Sequence, residues 1–265
     1  MTLPTQVTPT AHLIEVFSAI QGEGLNVGTR QIFIRFARCD LRCHFCDSAH
    51  TWDAPPTCRI EQTPGMRNFE THSNPVPLPI LTKWVSRQNI PDLHDSISIT
   101  GGEPLLSSPF LQHFLPEIRA ITGLPIYLET GGHRPQQLKM LIPYLDWVGM
   151  DIKLPSVSGE TRWQQHREFM QICDQAQVQV FVKIIISATT DLDELIYAAE
   201  LVQQVNPTIP IFLQPVTPLP SIPMNTMTPQ TEPSPFQVLQ WQAMLKKIVK
   251  DVRVVPQTHK ILNQL

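Results

Sequence analysis

Short apolar runs alternate with helix-patterned segments along most of this chain, and that alternation admits few architectures. Strand patterns fall at His12–Phe17, Gln31–Phe36, Ser96–Thr100, Pro125–Glu129, Trp147–Met150, Gln179–Ile186, Ile209–Leu213 and Val252–Pro256. The second has the two-residue period of a strand, with Ile32, Ile34 and Phe36 opposed to Phe33 and Arg35. Helical faces lie between most of them. Ile80, Leu81, Trp84 and Val85 mark one; Leu138, Leu141, Ile142 and Leu145 another; Leu192, Leu195, Ile196 and Ala199 a third. Phe110, Leu111, Phe114, Leu115 and Ile118 make a fourth, with Pro116 as an expected kink. Ser234-Pro235-Phe236-Gln237 opens a last helix with a cap, a proline in the first turn and Gln three residues after the cap. An α/β fold with parallel strands, curled into a complete or partial (β/α) barrel, is predicted, with its site at the carboxyl ends of the strands.

The 265 residues suffice for one such domain, spanning 1–265. Thirteen of the 26 prolines fall in two stretches, Ala54 to Pro79 and Pro215 to Pro235, which read as inserted loops. The first begins eight residues after Cys46, close enough to cover a site as a lid. The net charge is −3 and no basic block or stripe stands out, so a nucleic-acid partner is not expected. No run approaches membrane-spanning length, and Met1-Thr2-Leu3-Pro4 lacks the charge and apolar segment of a signal peptide. A cytoplasmic protein with no membrane partner is the expectation.

After the second strand come Cys39, Cys43 and Cys46, spaced C-x3-C-x2-C with Phe45 before the last thiol. Thiolates are soft ligands that suit zinc or an iron–sulfur cluster. A structural zinc site wants four ligands; His44, His50 or Cys58 would have to supply the fourth. A ferredoxin-like carrier needs a fourth cysteine per cluster. Disulfides fit an odd count of five cysteines poorly. Cys58, in a loop, and Cys173, on the apolar side of a helix with Phe169 and Met170, read as structural.

Three further motifs follow strands. Gly101-Gly102-Glu103-Pro104 comes some 55 residues after the cysteines, then Glu129-Thr130-Gly131, then Met150-Asp151-Ile152-Lys153. Glycines admit close backbone approach, and a carboxylate holds an ammonium. Read alone, the first is a turn, and Glu129 and Asp151 are polar residues closing strands. In order and register with the cysteines, the set resembles the radical S-adenosylmethionine (radical SAM) enzymes. That resemblance implies a 4Fe–4S cubane on Cys39, Cys43 and Cys46 with one iron open to S-adenosylmethionine, and a modified (β/α) barrel. Electron transfer from the cluster would cleave the cofactor to a 5′-deoxyadenosyl radical. Gly101, Gly102 and Glu103 would cradle its amino group; Glu129, Thr130, Asp151 and Lys153 would contact its ribose, carboxylate or adenine.

The run Gln21-Gly22-Glu23-Gly24, then Gly28 and Ile32-Phe33-Ile34-Arg35, leads directly into the cysteines. Within the radical SAM enzymes this resembles the 7-carboxy-7-deazaguanine synthases. The likeness is dense from position 13 to 53 and returns at Leu213-Gln214-Pro215 and Gln257-Thr258-His259-Lys260. It implies contraction of 6-carboxy-5,6,7,8-tetrahydropterin to 7-carboxy-7-deazaguanine with loss of ammonia, the cofactor being regenerated. Gln21 and Glu23 would bind the amino-pyrimidine edge and Arg35 the substrate carboxylate. The resemblance also implies Mg2+ at Ser48 with support from Asp47, a substrate-facing His259, and a terminal carboxylate at Leu265 near the pterin. It implies a homodimer and an electron donor such as a flavodoxin or ferredoxin. Blandly, Arg35 is an edge-strand arginine, Gln21–Gly24 a polar turn and His259 a lone histidine near a terminus.

Asp151-Ile152-Lys153 stands where many synthases have S-P-K, and Gly132 where E-T-N-G has Asn. The D-x-K pattern resembles the glycyl-radical activating enzymes, which makes hydrogen abstraction from a partner protein the second enzymatic reading. A zinc-binding module is the non-enzymatic one.

Overall fold

The structure, a computed structural model, describes residues 8–217 and 231–264. Twelve strands are assigned among them: β1 (Thr10–Ala11), β2 (Leu13–Ile20), β3 (Arg30–Phe36), β4 (Thr57–Glu61), β5 (Phe69–Ser73), β6 (Val76–Pro77), β7 (Ser96–Gly101), β8 (Ile126–Thr130), β9 (Trp147–Asp151), β10 (Gln179–Ile186), β11 (Ile211–Pro215) and β12 (Val252–Val254). The helices are α1 (Leu78–Gln88), α2 (Ser108–Thr122), α3 (Pro135–Leu141), α4 (Pro155–Ser158), α5 (Trp163–Gln175), α6 (Leu192–Val205), α7 (Pro235–Leu245) and α8 (Thr258–Ile261).

Ten strands form one sheet in the order β12-β11-β10-β9-β8-β7-β3-β2-β4-β5. From β12 to β3 every neighbour is parallel, as the alternation predicts. The sheet order has two free ends, β12 and β5, as in a partial rather than a closed barrel. Its two faces differ because successive side chains point to opposite sides. Ile32, Ile34, Ile97, Ile99, Leu128, Val148, Met150, Val182 and Ile184 join the apolar core with the helices. The other face carries Arg35, Thr100, Glu129, Asp151, Lys183 and Gln214, all lining one cavity of about 520 Å³. The same pleat that buries the isoleucines thus supplies the polar groups of a site.

Two expectations are corrected. β2 runs antiparallel to β3, and β5 antiparallel to β4, so the sheet is mixed. The stretch 54–79 is no loop: β4 pairs in parallel with β2, β5 closes a hairpin on β4, and β6 pairs with β1 before α1 begins. The prolines mark the ends of these short strands, where a missing N–H costs no ladder bond. Cys58 lies on β4, buried in the core with Ile60. Most of the 215–235 stretch, and Leu265, lie outside the described residues.

Other sequence readings hold. Ser234 Oγ accepts from Gln237 N at 3.3 Å while Gln237 Oε1 accepts from Ser234 N at 2.9 Å, completing the capping box of α7. Helix α2 runs through Pro116 and ends at Gly123, whose φ of 69° suits the left-handed cap. Cys173, Phe169 and Met170 are fully buried together on α5. No helix among the described residues is long and apolar enough to cross a membrane.

Candidate active site

The cysteine loop leaves the carboxyl end of β3 and is held on both sides. Arg38, at φ 77°, donates its N–H to Thr51 O at 2.7 Å, and His44 N donates to Ser158 O at 3.1 Å. Asp40 accepts from His133 Nε2 at 3.0 Å and Arg134 Nη2 at 2.7 Å, which tie the loop to the segment after β8. Gly102 approaches so closely that a Cβ there would stand 2.3 Å from Arg38 O and 2.9 Å from Cys39 Cβ. All three thiols are free and line the cavity; Cys58 and Cys173 do not. Burial pushes the Cys39 thiol up to about 12 and raises Cys43 as well. Such thiols become thiolates when a soft metal takes the place of the proton, so the donor set fits a cluster.

Beside the loop, Gly101 (φ 138°) lies with its Cα against Phe36, where a side chain would meet Phe36 O at 2.1 Å. Glu103 is 1 % exposed and accepts from Leu105 N at 3.0 Å, Thr130 Oγ1 at 2.9 Å and Gly131 N at 2.9 Å. It knits the ends of β7 and β8 together while one edge lines the cavity. Asp151 accepts from Lys153 Nζ at 2.5 Å, and Lys153 lies over the Phe45 ring at 5.2 Å. The glycines, Glu103, Thr130, Asp151 and Lys153 therefore surround the cysteine side of the cavity. This is a set of backbone amides and opposite charges suited to an amino acid such as the methionyl end of S-adenosylmethionine.

The far side is built by a turn from the opposite end of the barrel. Residues 21–28 precede β3 and so sit at its amino end. Gln21 N donates to Thr29 O at 2.8 Å, and Gly28 N to Gln21 O at 2.9 Å. From there Gln21 Nε2 reaches Gln31 Oε1 at 3.1 Å and Glu129 Oε1 at 2.7 Å, while its Oε1 accepts from Glu23 N at 3.0 Å. Both ends of the Gln21 amide are thus used within the protein, positioning its neighbours. Glu129, which the resemblance placed at the cofactor, sits beside Gln21 and also accepts from Ser98 Oγ at 2.8 Å. Burial raises its pKa, with the Glu23 charge adding to the rise.

Glu23 accepts from Lys183 Nζ, from Gln214 Nε2 at 3.1 Å and from Gln257 Nε2 at 2.7 Å. Burial alone would raise its pKa, but Lys183 and these hydrogen bonds hold it below its ordinary value. Lys183 also stands 3.3 Å from Asp151 Oδ1. One ammonium therefore joins the turn to the strand ends. Gln257 continues the chain of contacts to Asp47 Oδ2 at 2.9 Å, where Lys260 Nζ also sits at 2.9 Å. Burial would raise Asp47; Lys260 and Gln257 bring it down to about 2. Ser48 Oγ lies 3.8 Å from Cys46 Sγ. His259 lies against Gly22, where a Cβ would be 2.2 Å from its Nδ1.

Sequence reading missed Lys183, Glu15, Gln257 and His166. Lys183 carried a signal: a single lysine in the apolar run Val180 to Ile186, where an unpaired charge is too costly to bury. His166 carried none. It sits fully buried on α5, donates from Nδ1 to Gly132 O at 2.9 Å and accepts from Lys153 N at 3.1 Å, pinning the end of β9 to the glycine turn. Burial lowers its pKa to about 3. The folded state keeps it neutral while the unfolded chain takes a proton near pH 6.5, so its stability contribution is complete above that pH and is lost as pH falls. Between pH 7 and 5 the wild-type protein should lose about 2 kcal/mol more than His166→Gln, measured by urea denaturation at each pH. Parallel pH profiles would contradict this.

Residues 33–202, more than half of the chain, match the family model of the radical SAM superfamily. A 7-carboxy-7-deazaguanine synthase from Geobacter sulfurreducens is 43 % identical over 97 % of this chain and 99 % of its own length. Another, from Thermococcus kodakarensis, is 30 % identical over 96 % of this chain and 98 % of its own. Among solved structures, QueE from Escherichia coli superposes with a TM-score of 0.58 at 18 % identity, covering 94 % of both chains, which shows the fold. The cysteine loop, the glycine-lined strand ends and these likenesses agree: the chain belongs to the radical SAM superfamily and, within it, to the 7-carboxy-7-deazaguanine synthases.

Proposed function

We propose that this chain is a lyase that contracts 6-carboxy-5,6,7,8-tetrahydropterin to 7-carboxy-7-deazaguanine with loss of ammonia, a step toward 7-deazapurines of the queuosine type. The observation that carries this reading is one cavity with two chemistries. Three free thiols and the strand-end glycines line it together with two substrate-binding candidates, Glu23 and Arg35. Bound on Cys39, Cys43 and Cys46, a 4Fe–4S cluster with S-adenosylmethionine supplies the hydrogen-abstracting radical chemistry. The chain's own residues hold and orient. Glu23, kept ionised by Lys183, offers a charged acceptor to the N–H edge of the pyrimidine. Gln21 fixes Glu23 and Glu129 beside it. Arg35 presents its guanidinium to the substrate carboxylate. Gly101, Gly102, Glu103, Thr130, Asp151 and Lys153 hold the amino-acid end of the cofactor.

Ser48 and Asp47 offer hard oxygen ligands for Mg2+, which keeps several waters and takes further oxygens from substrate. His259 faces the same cavity, and the carboxylate of Leu265 belongs to this reading as a further substrate contact. Exposed Phe236 and Leu239 on α7, with Ile261 and Leu262 near the end of the chain, support a homodimer. A flavodoxin- or ferredoxin-type donor completes the scheme. The glycyl-radical activating reading, raised by Asp151 and Lys153, is disfavoured because Asp151 pairs with both Lys153 and Lys183 inside a cavity already furnished for a pterin.

The test is anaerobic turnover of reduced, cluster-loaded protein with the carboxypterin. The expected result is a product with the mass of 7-carboxy-7-deazaguanine, formed many times per S-adenosylmethionine consumed; cofactor cleavage with no deazaguanine would overturn the reading. Mg2+ should raise this turnover far more than it raises uncoupled cofactor cleavage, because the ion orders substrate. Ser48→Ala should reduce that stimulation several-fold. Equal turnover in chelated and Mg2+-supplied protein would remove the metal from the account.

A further inference from the structure

Three neighbouring strands set Arg35 of β3, Glu15 of β2 and Arg59 of β4 in one cross-strand row, Glu15 being in register with both arginines. Glu15 Oε1 accepts from Arg35 Nε at 2.8 Å, and its Oε2 from Arg59 Nε at 2.7 Å. The Glu15 side chain is only 5 % exposed. The row is backed by aromatic rings: Arg35 Cζ lies 5.6 Å from the Phe17 centroid and Arg59 Cζ 4.5 Å from that of Phe69, on the hairpin's second strand. Phe17 stacks on Phe33 at 5.1 Å. Arg35, Glu15 and Arg59 all line the cavity. Among the described residues, Arg35 uses only Nε for hydrogen bonding within the protein, which leaves its terminal nitrogens for a ligand.

A single arginine paired to a buried carboxylate is a neutral unit, and a poor attractor for an anion. Two arginines around one carboxylate carry a net positive charge and hold the carboxylate from both sides, so that it cannot turn toward the ligand. We propose that Arg59, acting through Glu15, is a specificity-determining residue for the substrate carboxylate. It orients Arg35 and keeps this subsite net cationic, so that the cavity prefers carboxylated pterins to uncarboxylated ones. The hairpin that brings β4 to the sheet edge is therefore part of substrate recognition. This inference rests on the reading of Arg35 as the carboxylate partner.

The experiment measures equilibrium binding of two ligands to cluster-loaded protein with S-adenosylmethionine: the carboxypterin, and the same tetrahydropterin without its carboxylate. Arg59→Met should weaken the carboxypterin about ten-fold and leave the uncarboxylated ligand unchanged, with uncoupled cofactor cleavage also unchanged. In turnover the effect should fall on KM rather than kcat, and Arg59→Lys should recover most of the lost discrimination. Arg59 is 47 % exposed at its side chain, so its replacement opens no core cavity; Arg59→Gln is the second variant should Arg59→Met not fold. Equal weakening of both ligands, or of neither, overturns the proposal. Arg35→Met separates the two ideas. If it leaves carboxypterin binding intact, the underlying reading of Arg35 fails; if it weakens binding while Arg59→Met does not, only the present inference fails.

Discussion

Replacing any one of Cys39, Cys43 or Cys46 with alanine should abolish the visible absorption of the reconstituted cluster and all reductive cleavage of S-adenosylmethionine. The three thiols line one cavity on one short loop, and each has to supply a thiolate to the same cubane. Their neighbours offer no substitute. Cys58 is buried on β4 and Cys173 on α5, both in the core behind the sheet. Cys58→Ala and Cys173→Ala should therefore leave cluster absorption and cofactor cleavage intact, and cost on the order of 1 kcal/mol in stability from the small voids they leave. Absorption spectra and iron content after anaerobic reconstitution decide the matter. Loss of the cluster in Cys58→Ala would show a fourth thiolate at work and refute the open-iron arrangement.

The second large effect is expected at Lys183. Its ammonium pairs with Glu23 and Asp151, and its charge also reaches Glu129. Lys183→Met leaves these carboxylates facing one another with no cation between Glu23 and Asp151. Removing one partner from a buried ion pair costs about 3–5 kcal/mol; the opening of this cluster to the cavity reduces that to about 2–4 kcal/mol here. The sign of the pH dependence follows. Without Lys183 the burial of Glu23 is no longer offset, so its folded pKa rises above the unfolded value, and the folded variant gains stability by taking up a proton as pH falls. The deficit of Lys183→Met against wild type should therefore be largest near pH 8 and shrink toward pH 5, by urea denaturation. Pterin turnover should fall by two orders of magnitude or more, because Glu23 loses the charge that makes it a strong acceptor. A pH-independent deficit would mean that Lys183 acts by packing alone.

Much of this arrangement was legible in the sequence for a physical reason. A parallel strand covered by helices must be apolar on the covered face, so Ile97, Ile99, Ile184 and Ile186 announced β7 and β10 with little error in their bounds. Local signals also carried the cap of α7 and the cysteine loop, because both depend on residues close together in the chain. The hairpin β4–β5 was obscured. Its strands are short and mostly polar on one side, as edge strands are, and prolines flank them. Read by composition, the segment was a loop; paired to β2, it contributes a core residue, Ile60, and brings Arg59 to the cavity. The site divides in the same way. Cysteines and glycines are legible because few other residues do their work. Glu15, Gln257 and His166 are ordinary residue types whose roles come from partners 13 to 234 positions away in the chain, which no local pattern encodes.

Glu129 shows the limit most clearly. Its carboxylate accepts from Gln21 across a separation of 108 residues, a partner that no local pattern marks. The turn carrying Gln21 and Glu23 enters from the amino end of the parallel strands, while the cysteines, Gly101 and Asp151 stand at their carboxyl ends. The account therefore makes the cavity a meeting of two opposed sets of residues, with Lys183 between them. The measurement that tests this most directly is an anaerobic crystal structure of the cluster-loaded protein with S-adenosylmethionine and the carboxypterin. The account predicts the methionyl end of the cofactor against Gly101–Glu103 and one iron, with the pterin beyond it, its carboxylate on Arg35 and its pyrimidine edge on Glu23. A pterin bound elsewhere, or one whose carboxylate faces Lys153 and whose ring leaves Glu23 untouched, would contradict it.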